Sequence, residues 1–429
     1  LDAPRPEPDA PAGAGGPRDR GPLDTGHAGR ARQLGVLALV ELLAMGLWFS
    51  ASAVVPELRD AWGVGDAGAA WLTMSVQLGF VCGALLSALL TLSDVWSPRW
   101  LIAGSAALGA VATASIAAFA DGPPVALPLR FVTGLALAGV YPPGMKVLAG
   151  WFREGRGMAI GVLIGALSIG SAVPHLLRPL GGLGDWRSVL YLAAGLAGVS
   201  ALLAAIALRR GPHAQPAAPF DPRAVGRILR DPATMLANGG YFGHMWELYA
   251  VWTWVPAFLA ASFAGDDIPS TSGGLASILS FATIAAGGVG AWLAGVLADR
   301  IGRTTVTAAS MVASGSACLV AGLLFEGSPW LLGALCISWG IAVVADSAQF
   351  SACVTELTEP AYVGTALTVQ TAIGFLLTIA TIRLLPVWEA AWSWRWAFAP
   401  LALGPALGTW SMLALRRRPE AARLAGGRR

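Results

Sequence analysis

RRGPHAQPAAPFDPRAVGRILRDP, Arg209 to Pro232, is the one long polar interruption in an otherwise apolar chain. Working outward from it, apolar runs of roughly 20 residues recur on both sides, each bounded by charge or by Pro and Gly. The runs cover approximately 34–55, 69–92, 99–119, 124–148, 157–178 and 187–208 before the break, and 235–260, 273–297, 304–325, 329–354, 363–385 and 394–415 after it. The stretch therefore divides an all-α membrane protein into six plus six helices. The predicted organisation is a disordered tail over 1–33, a six-helix bundle over 34–208, a central loop over 209–234, a second bundle over 235–415 and a basic tail over 416–429.

Composition leads to the same class. Of 429 residues, 55% are hydrophobic and 12% charged, with a mean hydropathy of +0.64. Soluble domains average about 25% charged residues, so this chain describes many segments apolar on every side. Cys82, Cys318, Cys336 and Cys353 all fall inside apolar runs and match no metal-ligand spacing, which makes them packing residues. Net charge is +3, with arginines gathered at segment ends, a pattern that orients helices and gives no sign of nucleic-acid binding. The first 33 or so residues are rich in Pro, Gly, Ala and charge, with no apolar signal region, so the first helix is expected to direct insertion. Arginine and lysine concentrate in the N-terminal tail, in loop 4–5 (Lys146, Arg153, Arg156), in the central loop and in the C-terminal tail, which predicts both ends on the cytoplasmic face of a cell membrane. Loop 10–11, with Glu356 and Glu359 and no positive charge, fits that rule poorly.

The halves echo one another at an offset of 205–208 residues. LTLSDVWSPR (Leu90–Arg99) stands opposite GVLADRIGRT (Gly295–Thr304), aligning Asp94 with Asp299, and DWRSVL (Asp185–Leu190) stands opposite SWRWAF (Ser393–Phe398). Two homologous bundles imply a pseudo-two-fold axis along the membrane normal and a site where they meet.

On these residues the chain resembles the major facilitator superfamily, over nearly everything after the N-terminal tail. GVLADRIGR is similar to that family's loop 8–9 signature at Gly295, Leu297, Asp299, Arg300, Gly302 and Arg303. RFVTGLALAGVYPP (Arg130–Pro143) resembles its helix 4 pattern, and the Gly-rich GMAIGVLIGALSIGSAVP (Gly157–Pro174) resembles the helix 5 pattern associated with antiporters. The first-half copy of the loop signature departs from it, with Leu90, Val95 and Ser97 at key positions and only Asp94 and Arg99 kept. The resemblance implies two rocking bundles, a central cavity lined by helices 1, 4, 7 and 10, and solute transport. Asp94, Gly295, Asp299, Arg300, Gly302 and Arg303 form the expected conformational latch: Gly302 for a tight turn, Asp299 for the amides of a neighbouring helix start, the arginines for carbonyl ends or lipid phosphates. Plain topogenic charge is the alternative.

An ionisable side chain near the bilayer centre costs at least about 2.5–3.5 kcal/mol on insertion scales, so each one found there needs a partner or an aqueous cavity. The candidates are Glu41 on helix 1, Arg130 and Tyr141 on helix 4, Tyr241, His244 and Glu247 on helix 7, and Asp346 and Gln349 on helix 10. Gln77 and Gln370 add polarity on helices 2 and 11; His175 and Arg178 sit near the outer interface. His244 with Glu247, and Asp346 with Gln349, are three residues apart and share a helix face, which predicts that both pairs look onto one wet chamber. Arg130 is expected to pair with an acid or with a substrate anion, or to snorkel. A buried carboxyl and a histidine supply the chemistry for proton coupling. The expected protein is a monomeric, proton-coupled secondary transporter of a small organic or inorganic anion or an amphipathic drug, with the lipid bilayer as its surroundings and no metal or cofactor. No GxxxxGK[ST] loop, HExxH pair or GxSxG elbow is present, which argues against an ATP-driven pump or an enzyme. A transporter-like sensor or receptor without net transport is the alternative.

Overall fold

The computed structural model describes residues 27–152, 155–180, 185–214, 220–264 and 272–428. The described residues are helical, with no strand. Twelve long passes form the fold. In the first half they are α1 (His27–Phe49), α2 (Asp66–Leu89), α3 (Pro98–Phe119), α4a (Pro123–Leu137) with α4b (Tyr141–Trp151), α5 (Arg156–Leu180) and α6 (Trp186–Ala207). In the second half they are α7 (Pro232–Ser262), α8 (Ser272–Ile301), α9 (Arg303–Val320), α10a (Pro329–Ala345) with α10b (Ser347–Leu357), α11 (Val363–Trp392) and α12 (Leu403–Arg416). The start of α1 meets the end of α6 through Gln33 and Ala207, the end of α8 meets the start of α5 through Asp299 and Gly157, and the C-terminal segment meets Leu357 and Asp299, which puts these ends on one side, the tail side.

Eleven spans among the described residues are long and apolar enough to cross a membrane. The remaining pass, α7, has the length, at 31 residues, but carries Asn238, Tyr241, His244 and Glu247 in its interior. Large apolar side chains such as Leu202, Ile206, Leu407 and Trp410 point out of the bundles, a belt suited to acyl chains and far larger than soluble monomers expose.

Two expectations are corrected, and the C-terminal tail adds an unforeseen element. Helix α1 starts at His27, inside the stretch expected to be a disordered tail. The fourth and tenth passes are broken, at Ala138–Val140 and at Asp346, where apolar runs alone suggest continuous helices. The C-terminal basic tail is folded, with Pro419–Gly427 packed beneath the second half and Ala421 and Leu424 fully buried.

The repeated Trp-Arg openings do matching work. Asp185 caps α6 by accepting from the Arg187 amide, and Arg187 Nε donates to the Ala117 carbonyl at the end of α3, 3.2 Å away. In the second half Ser393 caps the turn Trp394–Ala397, and Arg395 pairs with Glu326 just past α9, at 3.5 Å. The central loop straps the halves together. The His213 amide donates to the Gly150 carbonyl of the first half, and the Asp221 amide donates to Thr365 Oγ1 of the second.

The halves meet along two seams, α5 against α8 and α2 against α11. At the first seam Gly157, Gly161 and Gly165 recur at every fourth residue of α5. A Cβ on Gly161 would stand 2.8 Å from the Ala291 carbonyl oxygen, and one on Gly165 would stand 3.2 Å from that of Gly288. Small residues let the backbones approach where no solvent drives association.

Candidate substrate and coupling site

Glu41, Met45 and Trp48 lie at i, i+4 and i+7 of α1, one stripe of that helix. Trp48 shows where the stripe points. Its ring lies 5.0 Å from Phe80 of α2 and, across the midline, 5.5 Å from Tyr249 of α7 and 5.6 Å from Phe375 of α11. Phe80 and Phe375 meet at 4.6 Å, and Phe49 meets Trp252 at 5.9 Å. These rings close the space between the bundles, and Glu41 below them is fully buried.

Neither carboxyl oxygen of Glu41 has a hydrogen-bond partner among the described residues. Its Oε1 rests against Gly144 of α4b, where an added Cβ would stand 2.6 Å away. Tyr141, the first residue after the α4 break, is within electrostatic reach of Glu41 and also of Tyr241 in the other half. Tyr249 reaches the same midline, its ring 5.5 Å from Trp48 and 5.1 Å from Phe375. One carboxyl and three phenols thus share the midline, two of the four groups coming from each half. Tyr249, which carries no charge to mark it within an apolar run, belongs with them; its place two residues past Glu247 is its only signal in the sequence.

The pair expected to look into this space does otherwise. The His244 Nδ1 lies 2.8 Å from Asp346 Oδ1, a polar contact off the hydrogen-bond line, and Nε2 lies 2.8 Å from Ser347 Oγ. The α10 break places Asp346 and Ser347 side by side, so both reach one ring. The Tyr241 ring stands 6.2 Å from that imidazole. Glu247 points into the second bundle, accepting from Trp339 Nε1 at 2.6 Å, Ser314 Oγ at 2.9 Å and Cys318 Sγ at 3.2 Å. Residues three apart still differ by about 60° around the axis, enough to put His244 on the α10 break and Glu247 in the cleft between α9 and α10a. Glu247 is thus met by donors of its own bundle, whereas Glu41 has none among the described residues.

Two further placements differ from expectation. Among the described residues Arg130 pairs with no acid. Its Nε donates to the Leu72 carbonyl at 3.1 Å, its Nη1 to the Leu47 carbonyl at 2.8 Å and Ser50 Oγ at 3.2 Å, and its Nη2 to the Trp48 carbonyl. Helix α1 ends at Phe49, so its last carbonyls lack helical amide partners, and a guanidinium fork fits that gap. Gln349 faces the tail side, accepting from Arg303 Nη1 at 2.7 Å.

Arg303 organises the tail-side cluster. It donates to both carboxyl oxygens of Glu356, at 3.0 and 2.7 Å, and lies 4.0 Å from Asp299. This bidentate pair supplies the positive charge that loop 10–11 lacks in sequence. Gly302 takes φ +94°, a conformation open to glycine at little cost. The Asp299 carboxylate sits over the first turn of α5, where a Cβ on Gly157 would stand 2.7 Å from Oδ2, while the backbone of Gly295 approaches that of Gly157. Arg300 is exposed, and the Asp94 side chain lies outside the described residues, as does that of Arg178. The C-terminal segment closes over this cluster: the Ala425 amide donates to Glu356 Oε2 at 3.0 Å, Arg423 to the Leu357 carbonyl at 3.3 Å, and Arg428 to the Asp299 carbonyl. Among the described residues no His, Cys, Asp or Glu group is placed to hold a metal ion.

Two broken-helix bundles meeting at a buried polar midline define a membrane transporter of the two-bundle class. The Major Facilitator Superfamily family model matches residues 37–380. The chain belongs to that superfamily. Among solved structures it is similar to a point mutant of the nucleoside transporter NupG, with TM-score 0.64 and 18% identity over 90% of this chain and 99% of that one. It is also similar to a bacterial homologue of the human lysosomal transporter Spinster, in an inward-facing and occupied conformation, with TM-score 0.65 and 15% identity over 91% and 98%. A search of curated proteins by sequence returns no significant match.

Proposed function

We propose that the chain moves a small solute across a cell membrane by alternating access, coupled to protons, with Glu41 as the coupling group. The observation that carries this is a fully buried carboxyl between two bundles with neither oxygen partnered among the described residues. An ionised carboxylate without donors is costly in such a place, so closing the midline over Glu41 favours taking up a proton and opening it to water favours losing one. Among the described residues the groups facing Glu41 from α4 and, beyond it, α7 are phenols, which bring no positive charge to that exchange. The His244–Asp346 pair is proposed to hold the α10 break in register with α7. The tail side is assigned to the cytoplasm from its arginines, and the carrier acts as a monomer.

The test is flux in proteoliposomes under an imposed pH gradient. Wild type is expected to accumulate its solute when the gradient is applied. Glu41→Gln is expected to exchange solute but lose gradient-driven accumulation. Equal accumulation by the two proteins removes Glu41 from coupling.

A further inference from the structure

We infer that the closed midline is a binding site for an organic cation, charge-paired to Glu41 and walled by Trp48, Tyr141, Tyr241 and Tyr249. The inference rests on the carrier reading above and supplies its substrate class.

Buried polar groups in native proteins nearly always have a partner, and each exception asks for one. Three exceptions gather on the stripes of the first half that face the second. They are both oxygens of Glu41, the indole N–H of Trp48, and both ends of the Gln77 amide. Gln77 precedes Phe80 by three residues on α2, and Phe80 touches both Trp48 and Phe375. A ligand seated at the midline would supply what these groups lack.

Charge decides the kind of ligand. The buried basic side chains among the described residues are Arg130, His175, His244 and Arg303. The Arg130 fork is filled by carbonyls at the end of α1, His244 lies between Asp346 and Ser347, and Arg303 is held by Glu356 and Gln349. His175 sits on α5 toward the side away from the tails. Lys146 of α4b lines a separate tail-side recess with Trp96 and Arg210. Among the described residues the midline is left with the Glu41 carboxyl and with aromatic rings around it. Ring faces attract cations. A cation can take the place of the proton that Glu41 otherwise holds when the midline is closed, whereas an anion would meet the carboxyl and the negative faces of four rings, and a neutral solute would bring no countercharge.

The test uses two isosteric ions of opposite charge. Saturable binding of tritiated tetraphenylphosphonium to the full-length protein in detergent is measured by scintillation proximity, with tetraphenylborate and the smaller benzyltrimethylammonium as competitors. Tetraphenylphosphonium is expected to bind, benzyltrimethylammonium to compete, and tetraphenylborate to compete at least tenfold less well. Glu41→Gln is expected to lose at least tenfold in tetraphenylphosphonium affinity while eluting as the wild type does. Glu41→Asp, which withdraws the charge by one carbon, loses less, and it decides the question should Glu41→Gln not fold. Tyr249→Leu is expected to weaken binding several-fold and Tyr249→Phe to keep it. Absence of saturable binding by both cations, equal competition by tetraphenylborate, or wild-type affinity in the Glu41 variants overturns the inference. If a pH gradient still drives an anionic or neutral solute in that case, the carrier reading survives without it. If the cations bind through Glu41 but no gradient ever moves solute, the site stands and the coupling reading falls.

Discussion

Glu41 and Glu247 stand 206 residues apart, within the offset of the internal repeat, so each half carries an acid at one register. Their surroundings are opposite: Glu247 has three donors and Glu41 has none among the described residues. The two should therefore fail differently when changed. Glu247→Ala strands the Trp339, Ser314 and Cys318 donors in the second bundle, where each unmet donor costs about 1–3 kcal/mol. It is expected to lower the thermal midpoint of the purified protein by several degrees, whereas Glu41→Gln should melt close to wild type. Arg130 belongs with Glu247. Arg130→Lys keeps the charge but loses the fork that reaches α1 and α2 together, and it is expected to destabilise by about 1–3 kcal/mol in the same melt. A wild-type melting curve for Arg130→Lys would mean that the carbonyls are satisfied another way.

At the scale of elements, the seam between α5 and α8 is set by backbone approach. Gly161→Leu would drive a side chain into the Ala291 carbonyl and the Trp292 backbone. It is expected to reach the membrane, because each bundle keeps its own core, and to lose most transport because the bundles no longer close. Substrate flux normalised to surface protein reads this, and undiminished flux would show that the seam opens freely. The C-terminal segment is a second device at this scale. It is hydrogen-bonded to Glu356 and to the Leu357 and Asp299 carbonyls while burying Leu424. Deleting residues 419–428 is expected to leave the bundles folded and to loosen the α8–α9 turn from α5. Spin-label distances between the tail-side ends of α5 and α8 should broaden; an unchanged distribution would make the segment a passive tail.

For the whole molecule, the closed state is held by different chemistry at different depths: rings at the midline, glycines along α5 and α8, and the Arg303 cluster under the tail side. Sequence determined the class, since twelve apolar passes, a polar break at Arg209–Pro232 and a repeated loop are local properties of a chain that must satisfy its own backbone in lipid. It also named nearly every buried ionisable group, because charge in an apolar run is conspicuous without any structure. What each group faces was settled only by tertiary structure. A spacing of three residues puts His244 and Glu247 on roughly one face, but the rotation of α7 against α9 and α10 sends one to Asp346 and the other to Trp339. The ends of helices decided the rest. Arg130 answers carbonyls freed where α1 stops at Phe49, and the α10 break sets Asp346 and Ser347 on one imidazole. Periodicity describes a helix as it continues, and these sites depend on where helices stop.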